Sequence, residues 1–136
     1  MVGIVIVAHG RLAQALVETS EMIVGHVEQF KACSFCQGND VEKLRKFLKT
    51  SIKEVNNGDG VIILTDMFGG TPSNISLSFL EDGEVEVITG VNLPMVITSL
   101  TKREGKNIRE LSQILKDHGC SNIYIASEVL ATNLVK

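Results

Sequence analysis

Two stretches of the chain are apolar at every position, Ile4-Val5-Ile6-Val7-Ala8 and Val61-Ile62-Ile63-Leu64. Runs this short, rich in β-branched residues and bounded by glycine, predict strands buried on both faces rather than helices. The first runs into His9-Gly10 and the second into Thr65-Asp66. Between them, Leu12, Ala15, Leu16, Thr19, Met22 and Ile23 fall on one helical stripe closed by Gly25, which predicts a first helix. Phe30 to Cys36 reads as a second, less β-branched strand, with Gly38-Asn39-Asp40 as the turn after it. Val41, Leu44, Leu48, Ile52 and Val55 then repeat at three and four residues. Asn39 and Glu42 stand in capping-box spacing, and Lys43, Lys46, Lys49 and Lys53 mark the solvated face.

The third strand is followed by Asp66-Met67-Phe68-Gly69-Gly70-Thr71-Pro72-Ser73-Asn74, the least ordinary segment of the chain. Thr71 as N-cap and Pro72 at the first helical position predict a helix that packs through Ile75, Leu77, Phe79 and Leu80. Glu84 to Thr89 alternates acidic and aliphatic residues, as a fourth strand would, and Gly90-Val91-Asn92-Leu93-Pro94 leads into a helix through about Lys102. Asn107 and Glu110 form another capping box. Ile108, Leu111, Ile114 and Leu115 line a last helix that Gly119 is expected to close. Ile123-Tyr124-Ile125-Ala126-Ser127 reads as a final short strand, and the tail from Glu128 to Lys136 has apolar residues without an evident partner.

Strands alternating with helices imply right-handed βαβ units, hence an α/β three-layer sandwich with a mainly parallel sheet. With a strand order of 2-1-3-4, strands one and three are neighbours at the topological switch point, where ligands collect. His9 and Asp66 then stand side by side at their carboxyl ends. A total of 136 residues suits one domain, and there is no internal repeat or linker. A net charge of -3 without a basic patch gives no reason to expect nucleic acid. The first residues lack the pattern of a secretory signal, and no apolar run reaches membrane-spanning length, which points to a cytoplasmic protein. Cys33 and Cys36 form a C-x-x-C, but no second ligand pair accompanies them, and they close a strand rather than open a helix. They read as structural thiols, and no metal site is expected.

A carboxylate bonded to one imidazole nitrogen fixes the tautomer and leaves the other nitrogen free to act. That arrangement serves a nucleophile and a general base equally. Helices starting after His9-Gly10 and at Thr71-Pro72 aim their N-termini at the same crevice, and Gly69 and Gly70 bring backbone amides close to it. An anion is therefore expected there, and phosphoryl transfer to His9 is the simplest chemistry that unites the parts. Arg11 is open between a phosphate contact and a solvated first-turn residue. His26 and His118, near helix C-termini, receive no function.

Ile4 to Gly10, the first helix, the segment Gly60 to Asn74 with its Asp-x-x-Gly-Gly-Thr-Pro-x-Asn pattern, and Gly90-Val91-Asn92-Leu93-Pro94-Met95 together resemble the enzyme IIA component of the mannose-type bacterial sugar phosphotransferase system (PTS). The resemblance runs to about Ser127. It divides the chain into a IIA domain, residues 1–127, and a C-terminal tail, residues 128–136. It implies that His9 takes a phosphoryl group from the phosphohistidine of HPr and passes it to a separate IIB component, with Asp66 orienting the ring. Gly10, Gly69, Gly70 and Thr71 would bind phosphate, without cofactor or metal. It also implies a homodimer in which the last strand is exchanged between subunits, and a link to the membrane only through the transporter's other components. Phe68 replaces a tryptophan, and Thr71 a serine, common in mannose-transporting relatives. Two alternatives share the crevice: a regulatory IIA whose phosphorylation state signals carbon supply, and a non-catalytic flavodoxin-like module holding a phosphate-bearing ligand. The second lacks the aromatic residues that would sandwich a flavin, since the chain has no Trp and one Tyr.

Overall fold

The computed structural model describes the whole chain except Gln37, Asn39 and Lys136, with side chains as far as Ala131 in the last helix. The elements follow in the order β1 (Gly3–His9), α1 (Leu12–Val24), β2 (Phe30–Phe35), α2 (Val41–Val55), β3 (Val61–Thr65), α3 (Thr71–Leu77), β4 (Val85–Thr89), α4 (Leu93–Lys102), α5 (Ile108–Ser121) and α6 (Ala126–Val135). The sheet is parallel throughout with strand order β2-β1-β3-β4. This is the expected α/β topology, and its physical origin is visible in β1 and β3, whose apolar residues are buried on both faces.

Alternate residues of the strands feed two cores. Ile4, Ile6, Ala8, Ile62 and Leu64 meet Ala13 of α1, Met95 and Val96 of α4 and Leu111 and Leu115 of α5. On the other face Val5, Val7, Val61 and Ile63 meet Leu44, Leu48, Ile52 and Val55 of α2 and Ile75 of α3. By the same period of two, His9 belongs with Val5 and Val7 on the face covered by α2 and α3.

Several local expectations are corrected. The inward face of α1 is Ala13, Leu16, Val17 and Ser20, whereas Met22 and Ile23 are 80% and 58% exposed. Small side chains at positions 13 and 20, both fully buried, let the helix lie close to the sheet, and that rotates the larger apolar residues outward. The cap of α2 is Asp40, whose side chain accepts from the Glu42 amide at 2.9 Å, while Asn39 lies outside the described residues. Gly119 does not close α5 but lies inside it: a Cβ there would stand 2.6 Å from Met95 Cε, so the glycine serves helix packing. Residues 123–125 form no strand, and Ala126 already begins α6. The Ile123–Ser127 pattern is β-like, but the segment pairs with neither edge strand of the sheet, and Ile123, Tyr124 and Ile125 are 77%, 68% and 63% exposed.

The end of the sheet opposite His9 is held by a buried cation. Arg103, at the end of α4, is 2% exposed and donates to the carbonyls of Val2 at 3.2 Å and Gln29 at 2.9 Å, and also to that of Glu28. Burial lowers its pKa, and carbonyl oxygens from the starts of β1 and β2 replace its lost hydration. Among the described residues no helix is long and apolar enough to cross a membrane. Arg103→Met is expected to cost about 3 kcal/mol, because charge-assisted bonds to three carbonyls are lost together. Urea denaturation measures this, and an unchanged midpoint would show that the guanidinium holds nothing.

Candidate active site

Because β1 and β3 are parallel and adjacent, with Val7 opposite Thr65, the residues that follow them emerge at one place. There the Asp66 carboxylate is anchored from three directions. Its Oδ2 accepts from the backbone amide of His9 at 2.9 Å and from the imidazole Nδ1 at 2.8 Å, and its Oδ1 accepts from the Met67 amide at 3.0 Å. Burial alone would raise the Asp66 pKa. The His9 amide bond, the His9 ring bond, the charge on that ring and the Met67 amide outweigh it, so the net shift is downward. An ionised acceptor fixes the proton of His9 on Nδ1, which leaves the lone pair of Nε2 free. The histidine side chain is 45% exposed and that of Asp66 only 13%, so the carboxylate is enclosed and the imidazole accessible.

The two glycines before α3 serve different ends. Gly69 has φ 95°, a left-handed conformation that favours glycine. Gly70 has an ordinary extended backbone and is needed for space: a Cβ there would lie 2.6 Å from His9 Cε1 and 3.0 Å from Nε2. It is also the N-cap of α3, a position assigned above to Thr71; the helix starts one residue earlier, with Thr71 its first residue. First-turn amides have no partner within their own helix, so this end of α3 offers donors beside Nε2. Gly10, with φ 60°, gives its amide to the Phe35 carbonyl at 2.7 Å, so that donor is already engaged. Arg11, the exposed N-cap of α1, makes no side-chain capping bond.

The C-terminal end of β2 was missed as part of the site. Phe35 is paired with His9 across the ladder, and its ring meets the imidazole edge to face, with centroids 6.4 Å apart. Cys36 Sγ donates to the Gly10 carbonyl at 3.7 Å. The 2-1-3-4 order could have pointed to these residues, since it places β2 on the other flank of β1. Cys33 is fully buried, donates to Ser51 Oγ at 3.5 Å and has its thiol pushed up to about 11 by burial, which makes it an inert core residue. His26 is exposed between Glu21 and Glu28, and His118 lies 3.4 Å from Thr98 Oγ1, both away from the Asp66 cluster. Among the described residues no group of three His, Cys, Asp or Glu side chains could hold a metal ion. A concavity of about 1370 Å³ lies at the Arg103 end of the sheet, and no histidine lines it.

The chain is an α/β domain with a parallel sheet that carries a carboxylate-bonded histidine at its switch point. The chain belongs to the mannose-type enzyme IIA family: residues 3–116 match the family described as the PTS system fructose IIA component. It is 33% identical over 131 residues to the PTS system fructose-specific EIIA component of Bacillus subtilis, covering 96% of this chain and 90% of that one. It is 35% identical over 104 residues to the PTS system mannose-specific EIIAB component of Escherichia coli K12, covering 76% of this chain and 32% of that longer protein. Among solved structures, the phosphotransferase system component EIIA from Streptococcus agalactiae superimposes with a TM-score of 0.85 at 26% identity, over 94% of this chain and 99% of that one. The protein is thus a IIA component of the phosphotransferase system, a phosphoryl carrier among phosphotransferase components.

Gly70→Ala is expected to leave the fold within about 1 kcal/mol of wild type, because the half-exposed histidine can give way, yet to displace the ring from Asp66. The nitrogen-15 NMR signals of His9 report this as loss of the Nδ1-protonated tautomer, and an unaltered spectrum would refute the close contact. The lowered Asp66 pKa also has a sign: the unfolded chain binds the proton more tightly. The stability this carboxylate contributes is therefore full above the ordinary value of 3.8 and is lost as pH falls through the lower folded value. Asp66→Asn should flatten that acid limb of the stability curve, measured by urea melts between neutral pH and the acid range.

Proposed function

We propose that His9 Nε2 accepts a phosphoryl group from the phosphohistidine of HPr and passes it to a IIB component, serving sugar uptake and phosphorylation by a cytoplasmic carrier. The observation that carries this reading is the bond between His9 Nδ1 and Asp66 Oδ2 at 2.8 Å, which holds the ring proton on Nδ1 and leaves the unprotonated Nε2 free beside the α3 N-terminus. In the step, the P–N bond of the donor breaks and its electron pair returns to the donor ring. A new bond forms from Nε2, and the Nδ1 proton stays on the Asp66 bond. One phosphoramidate replaces another of similar energy, so the protein's task is alignment and charge stabilisation. The amides of Gly69 and Gly70, with Thr71, are the groups proposed to receive the phosphate oxygens.

Residues 1–127 are proposed as the carrier domain, with the segment after α5 available for a second copy. Support for a homodimer comes from the exposed Ile123, Tyr124 and Ile125, followed in α6 by Val129 and Leu130 at 38% and 61% exposure. Light scattering should give the mass of two 14.8 kDa chains, falling to one when the chain is cut after Ser121; a monomeric full chain would end the dimer reading.

The carrier reading is tested with phosphoenolpyruvate, enzyme I and HPr. Wild type should acquire one acid-labile, base-stable phosphate, His9→Ala none, and Asp66→Asn should react about 100-fold more slowly while folded. No label on wild type, or equal label on His9→Ala, would overturn the proposal.

A further inference from the structure

The Asp66 bond fixes one atom of the imidazole, but a single hydrogen bond tolerates tens of degrees of ring rotation. In-line attack by Nε2 needs tighter control, since near-attack geometry places the reacting atoms within about 3–3.5 Å on a common axis. Two further surfaces supply that control. On the β3 side the Gly70 backbone lies so close that a methyl group would meet Cε1 at 2.6 Å. On the β2 side Phe35 meets the ring edge to face, at an interplanar angle of 77°.

We propose that Phe35 is a positioning residue for phosphoryl transfer at His9, the third wall of a cage whose other walls are Asp66 and Gly70. The inference rests on His9 being the phosphoryl acceptor. Three observations make the contact a built one. The ladder between β1 and β2 extends to the very pair His9 and Phe35. The Phe35 carbonyl accepts the Gly10 amide at 2.7 Å and Cys36 Sγ reaches the Gly10 carbonyl, so the end of β2 holds Gly10, the residue after His9, at both its N–H and its C=O. The Phe35 ring is itself partly buried, packed against the core cluster that includes Val7, Leu44 and Leu48. It therefore limits how far the imidazole can swing toward β2 while Asp66 holds Nδ1. Such edge-to-face pairs fall in the 4.5–7 Å range in which aromatic contacts are directional. Phe35 exchanges no proton or phosphate, and acts only through the orientation of Nε2.

The test uses two donors, phospho-HPr and the small molecule phosphoramidate, on wild type, Phe35→Leu, Phe35→Ala and Phe35→Tyr. Leucine keeps the apolar packing under α2 without the flat ring, so Phe35→Leu stays informative if Phe35→Ala unfolds. Both are expected to lower the maximal phosphorylation rate about 10- to 100-fold with either donor, the loss that misalignment of about 1 Å brings. The KM for HPr should stay within about 3-fold, and Phe35→Tyr should restore the rate, because the flat ring and not buried volume is what the histidine needs. The nitrogen-15 signals of His9 should broaden in Phe35→Leu while those of the core remain sharp. Wild-type rates in folded Phe35→Leu would overturn the proposal. So would a loss confined to KM for HPr with the phosphoramidate rate unchanged, since that marks a docking contact. If wild type itself takes phosphate from neither donor, it is the carrier reading that fails, and the two failures are thereby separated.

Discussion

One carboxylate oxygen organises the functional end of this molecule. Asp66 Oδ2 receives both the backbone amide and the ring Nδ1 of His9, so a single atom fixes where the β1 chain turns and which way its imidazole faces. An enclosed carboxylate is costly to desolvate, and the three N–H donors it collects are what keep it ionised there. The same bonds that hold the loop therefore set the tautomer of the histidine. Position and chemical state thus draw on the same carboxylate, through two separate bonds to one oxygen.

The rest of the fold makes that meeting possible by keeping β1 and β3 adjacent and their ends level. Parallel strands buried on both faces supply the rigidity, and close approach of the covering helices depends on small residues such as Ala13, Ser20 and Gly119. Buried ionic and amide contacts are concentrated at the opposite end of the sheet. Arg103 gathers carbonyls there, and the Gln29 side chain, on a backbone with φ 55°, donates to Met1 and Val55. The His9 end is more open, with the His9 side chain 45% exposed and Met67 and Phe68, in the segment after Asp66, 55% and 72% exposed. The two ends of the sheet thus differ, one locked by buried polar contacts and the other accessible.

Sequence patterning read most reliably where burial is total and least reliably where a face is shared. β1 and β3 announce themselves because every residue must be apolar. α1 offers two apolar stripes, and the larger residues lost to Ala13 and Ser20 because closeness to the sheet outweighed side-chain size. At α3 the residue types suggested Thr71 as cap, yet Gly70 takes that place, where contact with the His9 ring leaves no room for a Cβ. Ile123 to Ser127 has the composition of a strand, but pairing is not a property of one segment, and α6 begins where that strand should end.

What the sequence determined by itself was the α/β class, the apolar strands β1 and β3, and the likeness of the Asp66 to Asn74 segment and of His9-Gly10 to the IIA family. Each depends on local pattern or on residue identity at a fixed spacing. The tertiary structure alone decided that both His9 donors share one oxygen, that Gly70 is glycine for space rather than for flexibility, and that Phe35 closes the remaining side of the ring. Those facts are distances between residues 26 to 61 positions apart in the chain. No periodicity records such distances, because they are fixed by the register and packing of neighbouring strands and helices.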